Sequence, residues 1–289
     1  MMFLEYSLIG IAAGGIYGLL ALGFVFIFMA SGVFNFATGQ MMMLGAYFFL
    51  AFSKIPSLPW WAAFALAILG SIVVAIILEW VVIRRLIGQP VISAVMVTMG
   101  LGWMLQGAAS LIWGQVPQQL PDVLPRAPIF IGEILVPGRS VWGFVIAIAV
   151  ALASVVYFRY SRTGVALRAT ASDQITAYSM GINVPASIRL TWIMAAISTT
   201  FAGVIAGSIN GVTPELSNVA ISVIAVVLLG GVNSVGGVII AGLMMGWLET
   251  ISGVYLGGHW REVIPYLAVL LVLLVRPSGL FGSKLVERI

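Results

Sequence analysis

The chain has 289 residues, of which 62% are hydrophobic and 8% charged, against about 45–50% and about 25% in soluble domains, so a soluble fold is excluded. It carries no cysteine and one histidine, His259, which rules out a disulfide framework, a thiolate nucleophile and a multi-histidine metal site. The net charge of +4 is read as a report on membrane orientation rather than on nucleic-acid binding.

An ionised group at mid-bilayer costs about 2.5 kcal/mol or more, so charge-free intervals mark the spans. Glu5 is followed by a long apolar run with no basic leader and no small-residue cleavage site. This predicts a retained first span over 8–29 rather than a removable signal. No charge occurs between Tyr6 and Ser53, an interval too long for one span. A polar turn near Ala30–Gly32 is therefore expected to lead into a second span over 33–52. Spans over 60–82 and 91–113 follow. The stretch 114–139 contains Pro117, Pro121, Pro125, Pro128 and Pro137 and reads as an irregular cap over spans four and five. A fifth span is expected over 140–158.

The loop 159–189 is the longest between spans. Ser172 or Asp173 can cap a helix there and Gly181 can end it, leaving about two turns from Gln174 to Met180. Ala171, Ile175 and Tyr178 fall near one face of that helix, and Pro185 is expected to break the chain before the next span. Such a helix either lies on the bilayer surface or offers a grip to a partner protein. Further spans are expected over 190–210, 217–232, 237–256 and 262–276. In 217–237, Gly230, Gly231, Asn233, Ser234, Gly236 and Gly237 mark either a tight turn or a helix broken inside the membrane, and the turn chemistry is favoured. The expected fold is thus an all-α, polytopic transmembrane helix bundle of about nine spans, eight to ten being possible, with residues 1–289 forming a single membrane domain.

Basic residues resist translocation, so their distribution sets orientation. Arg84, Arg85, Arg159, Arg162, Arg168, Arg189, Arg276, Lys284 and Arg288 fall in one set of loops; Lys54, Arg126, Arg139 and Arg261 fall in the other. The first set is assigned to the cytoplasm, giving an N-terminus outside and a C-terminus inside. Glycines at helix-packing spacing, Gly10, Gly14 and Gly18, Gly203, Gly207 and Gly211, and Gly242 and Gly246, are expected to let helices approach closely.

Several segments together resemble branched-chain amino acid ABC permeases of the LivH type. They are Asn35-Phe36-Ala37 with Gly39, Met42 to Tyr47, Thr98 to Leu101 with Gln106, and Thr163-Gly164 with Arg168-Ala169 and Asp173. Met180 to Asn183, Leu229 to Gly231, Gly236-Gly237 and Arg276-Pro277 with Gly279 to Phe281 complete the pattern along the whole chain. The resemblance implies a multi-pass subunit of the bacterial inner (plasma) membrane that imports branched-chain, small hydrophobic amino acids. It also implies a homologous (LivM-like) second permease, two ATPase subunits and a periplasmic or lipid-anchored binding protein. In that family the loop between these two spans docks on the ATPase, so coupling is carried onto Ala171, Asp173, Ile175, Ala177, Tyr178 and Gly181. Two departures stand out: Thr38 occupies a place where relatives usually carry histidine or a similar polar residue, and Gln174 replaces a residue that is often basic. The Glu-Ala-Ala-x3-Gly motif of other importer permeases is absent.

No Gly-x4-Gly-Lys-Ser/Thr pattern occurs, so ATP and magnesium would bind on the partner ATPases, with no cofactor and no catalytic residue on this chain. A zwitterionic substrate needs donors and acceptors along its path, and Asn35, Thr38, Gln40, Asn233 and Ser234 are the densest polar groups, unless they cap helix ends. Glu249 lies inside the eighth span, either as a functional carboxylate or as a hydrogen-bonded packing group. Glu79, near the end of span three, is close enough to the surface to snorkel. The alternative class, a secondary transporter or channel for a small polar or zwitterionic solute, predicts mid-membrane ionisable residues and inverted repeats. Only Glu249 meets the first condition, and no repeat is visible in the sequence.

Overall fold

The protein is described by a computed structural model over residues 2–86, 89–132 and 134–282. Lys284, Arg288 and loop residues 87 and 88 lie outside the described residues. The elements run α1 (Met2–Ser31), α2 (Thr38–Ser53), α3 (Trp60–Leu78), a π-helical turn (Glu79–Ile83) and the short α4 (Arg84–Leu86). After these come α5 (Val91–Trp113), strands β1 (Ile129–Ile131) and β2 (Ile134–Val136), α6 (Gly138–Tyr160), α7 (Arg162–Ser172) and α8 (Gln174–Ser179). The chain ends with α9 (Val184–Asn210), a 3-10 turn (Pro214–Asn218), α10 (Val219–Gly230), α11 (Val235–Tyr255) and α12 (Trp260–Val275).

Six helices among the described residues are long and apolar enough to cross a membrane: α1, α3 with its extension to Leu86, α5, α6, α9 and α11. The other three expected spans are shorter, with 16 residues in α2, 12 in α10 and 16 in α12. Apolar side chains cover α1 all round, which marks a buried helix, and α1 and α9 are the most enclosed of the six. Around them α3, α5 and α6 leave most of their apolar surface open, available to lipid or to a neighbouring subunit.

Glycine builds the main seam. A β-carbon on Gly14 would lie 2.6 Å from Gly242 O, and one on Gly242 would lie 2.5 Å from Gly18 N. Only the bare backbone allows α1 and α11 to approach so closely. Gly203 packs in the same way on Met42, whereas Gly211 has φ +83° and ends α9 instead of packing a helix face.

The second span departs from expectation. Helix α1 continues to Ser31, and residues 32–37 turn back into the bundle without helical structure. Thr38, the first residue of α2, lies level with Gly23, where an added β-carbon would be 3.4 Å from Thr38 Cγ2. Gly23 is eight residues before Ser31, so α2 starts about 12 Å inside that end of α1. Buried non-helical backbone must satisfy its own polar groups. Asn35 Oδ1 accepts from Ala37 N at 3.1 Å, and Thr38 Oγ1 donates to Asn35 O at 2.7 Å.

The same device recurs in the second half, running the other way. Helix α9 ends at Asn210, the chain turns inward through 211–218, and α10 starts at Val219. The two breaks meet: a β-carbon on Gly39 would lie 2.5 Å from Ser217 O. A long helix, an irregular inward segment and a short helix thus occur twice in opposite directions, a repeat that the residues themselves did not reveal. The glycine-rich stretch after α10 is a turn, as its composition favoured. Gly231 takes φ +100°, Ser234 caps α11 by accepting from Gly237 N at 3.1 Å, and the break inside the bundle lies upstream at 211–218. Residues 276–282 fold over this turn, with Leu280 N donating to Leu229 O at 2.8 Å.

Three further expectations are corrected. The stretch 114–139 is not wholly irregular, because β1 and β2 form an antiparallel hairpin. It also reaches beyond spans four and five: Gln118 bridges to Val212, and Leu124 packs beside Phe64 and Ile205. Within it Asp122 accepts from Arg126 at 2.5 Å and from Arg139 at 2.6 Å, and these hydrogen bonds hold its carboxyl below the usual range. Pro185 does not break the chain before α9. It sits in the first turn of that helix, where its missing N–H is not needed, behind the cap made by Asn183.

Candidate functional site

One end of the bundle gathers α7, α8, the end of α1, the α10–α11 turn and residues 276–282. Ser161 caps α7 by accepting from Gly164 N at 2.8 Å, and Arg168 reaches back to Phe158 O at 2.7 Å and Arg159 O at 2.8 Å. A cation on the last carbonyls of α6 complements the negative end of that helix. Helix α8 forms where the cap signals placed it. Asp173 Oδ1 accepts from Ile175 N at 2.9 Å and Thr176 N at 3.0 Å, and Gly181, at φ +82°, closes the other end.

Burial sorts the six residues expected to couple into three groups. Ile175 is 80% and Tyr178 72% exposed, and Gly181 is open too; Met180 joins them at 79%. Ala171 and Asp173 are half-buried. Ala177 faces the other way, 3% exposed, in a cluster with Ala30, Val184 and Ile188. Its place is under α8, not on its free face. Gln174 Nε2 donates to Ala30 O at 2.8 Å, so α8 is tied to α1 as well as to the base of α9.

Between α2, α5 and α10, where the two breaks meet, lies a cleft of about 180 Å³. Gln40, Gln106, Ser217 and Asn218 supply its polar lining, and Phe36, Met99, Trp103 and Ile221 part of its apolar lining. Gln40 Oε1 is buried and makes no hydrogen bond. Gln106 Nε2 donates to Pro214 O at 3.2 Å, which holds its amide at the cleft. Sequence reading singled out Gln40 but missed Asn218 and Trp103, which lie far from it along the chain.

The other polar candidates sit elsewhere. Asn35 and Thr38 are fully buried and bonded to the backbone at the start of α2. Asn233 lines a larger cleft of about 520 Å³ beside Arg168 and Gln174, and Ser234 caps α11. Glu249 is clamped, accepting from Tyr17 Oη at 2.5 Å and from Arg261 Nε at 2.8 Å. Glu79 does not snorkel. It is 1% exposed, paired with Arg84 at 2.9 Å and near Arg189 at 3.8 Å, and it begins the π-helical turn at the end of α3.

The sequence profile of the branched-chain amino acid transport system permease component matches residues 6–274. The chain belongs to this family. Among relatives of the permease, the high-affinity branched-chain amino acid transport system permease protein LivH of Escherichia coli K12 is 31% identical, the alignment covering 99% of this chain and 98% of the relative. The corresponding protein BraD of Pseudomonas aeruginosa is 30% identical with the same coverage. Among solved structures, PsaBC from Streptococcus pneumoniae in complex with Fab is similar with a TM-score of 0.49 and 17% identity, covering 96% of this chain and 93% of that one. The permease is therefore a multi-pass membrane translocation subunit and not itself an ATPase. Family membership also sets aside the secondary transporter class, which the inverted repeat of the two breaks would otherwise keep in play.

Proposed function

We propose that the permease carries branched-chain, small hydrophobic amino acids into the cell as one half of the membrane part of an ABC importer. Residues 1–289 act as one unit, paired with a homologous second permease and driven by two ATPases, with a binding protein delivering the substrate. The end bearing α8 faces the cytoplasm and the N-terminus lies outside. The observation that carries this reading is α8 itself. A short helix displays Ile175, Tyr178 and Met180 to solvent on the end richest in arginine, and an exposed apolar face of this kind suits contact with another protein.

Closure of the ATPases on ATP pulls α8. The Gln174–Ala30 hydrogen bond and the Ala177 contacts pass the displacement to α1 and α9. These two long helices lead into the two breaks, so motion at α8 shifts the backbone where they meet. The decisive experiment is uptake of labelled leucine into proteoliposomes holding the full complex. Uptake should require ATP and binding protein, be competed by isoleucine and valine, and ignore a proton or sodium gradient. Gradient-driven uptake without ATP would overturn the reading.

A further inference from the structure

We propose that the cleft between α2, α5 and α10 is where the permease touches the amino acid in transit, with Gln40, Gln106 and Asn218 as the contacting groups. This rests on the import function argued above. The cleft lies at the middle of α5, since Met99, Trp103 and Gln106 fall in the central turns of a helix spanning Val91–Trp113. It is also where α2 and α10 begin inside the bundle.

Its polar groups do not suit a lipid neighbour. Asn218 is exposed, and hydrocarbon over it would leave its amide unsatisfied at a cost of several kcal/mol; in the wall of the same cleft Gln40 Oε1 is enclosed and has no partner. Water, substrate or protein must cover this face. The cleft volume of about 180 Å³ is below the about 300–1,000 Å³ of complete ligand pockets, and in the pairing proposed above the second permease subunit supplies the missing wall.

The lining chemistry selects a class of solute. Trp103, 70% exposed, and Ile221, 62% exposed, offer an apolar wall. Three side-chain amides offer both donors and acceptors, and among the described residues no ionisable side chain lines the cleft. An amino acid with an apolar side chain can rest that side chain on the wall and its ammonium and carboxylate on neutral amides. A charged side chain would find no counter-ion. Neutral contacts also keep the stay brief, since a transit site must release what it binds.

The chain has no cysteine of its own, so single cysteines can test the cleft directly in the assembled transporter. Asn218→Cys should react with a charged, water-soluble thiosulfonate, while Leu111→Cys, 90% exposed at the end of α5, should react only with a lipid-soluble maleimide. Gln40→Leu and Gln106→Leu should each lower ATP-driven leucine uptake by about tenfold. Stimulation of ATP hydrolysis by loaded binding protein should persist, and the subunit should remain at parental membrane levels. Asn218→Cys reacting only with the lipid-soluble reagent, or both leucine variants transporting at the parental rate, would overturn the inference. If the parent imports no branched-chain amino acid, the import function falls, while the labelling still judges whether the cleft is wet.

Discussion

Glu249 looks functional in the sequence, yet in the fold both of its oxygens are engaged by hydrogen bonds. A carboxylate inside a span invites a relay role, and its isolation in the sequence strengthens that impression. Its partners come from far away: Tyr17 is 232 positions distant and Arg261 is on the next helix. Together they staple α1, α11 and α12. Glu249→Gln keeps an acceptor for Tyr17, and Arg261, with 61% of its side chain exposed, can turn to solvent. Leucine uptake by that variant should stay within about twofold of the parent, because only a partly exposed charge pair is lost. Glu249→Leu leaves the Tyr17 hydroxyl without an acceptor and should cost about 1–3 kcal/mol of stability, measurable as a lower unfolding temperature in detergent. A proton relay would instead lose transport in the glutamine variant at normal stability.

At the scale of one element, α8 was legible because its two ends carry explicit signals, Asp173 as cap and Gly181 at positive φ. Its faces were not legible, since two turns are too short for periodicity to say which side meets the bundle. Ala177 proves to be an inward residue, and that changes what its substitution would report. Tyr178→Glu should insert at the parental level but lose its ATPases during purification and lose uptake. Ala177→Glu would bury an unpaired ion against Val184 and Ile188, at a cost of several kcal/mol, and should lower the yield of folded permease itself. Equal retention of the ATPases by the Tyr178 variant would remove α8 from the docking surface. Helix α7 escaped notice for a different reason. Thr163, Gly164 and Thr170 are weak helix formers, and its stability comes from the Ser161 cap and the reach of Arg168 to the end of α6.

For the whole molecule, composition and charge-free intervals located the membrane helices well, with 91–113 reproduced at both ends. The two inward breaks stayed hidden because hydropathy measures greasiness, not helicity, and the segments 32–37 and 211–218 carry no charge except Glu215. The seven described arginines of the more basic set gather at the α8 end, which gives orientation a direct test. A cysteine at Ser161 should be shielded from impermeant thiol reagents in intact cells and one at Gln118 labelled, and the reverse pattern would invert the topology. The glycine seam between α1 and α11 also bears on synthesis. Helix α1 is made first, yet its partner begins at Val235, 204 residues after Ser31. At about 5–20 residues per second the first helix waits about 10–40 s for the surface that fills its groove. A ribosome halted between the two helices leaves the glycine face of α1 without the backbone of α11 that covers it in the finished fold.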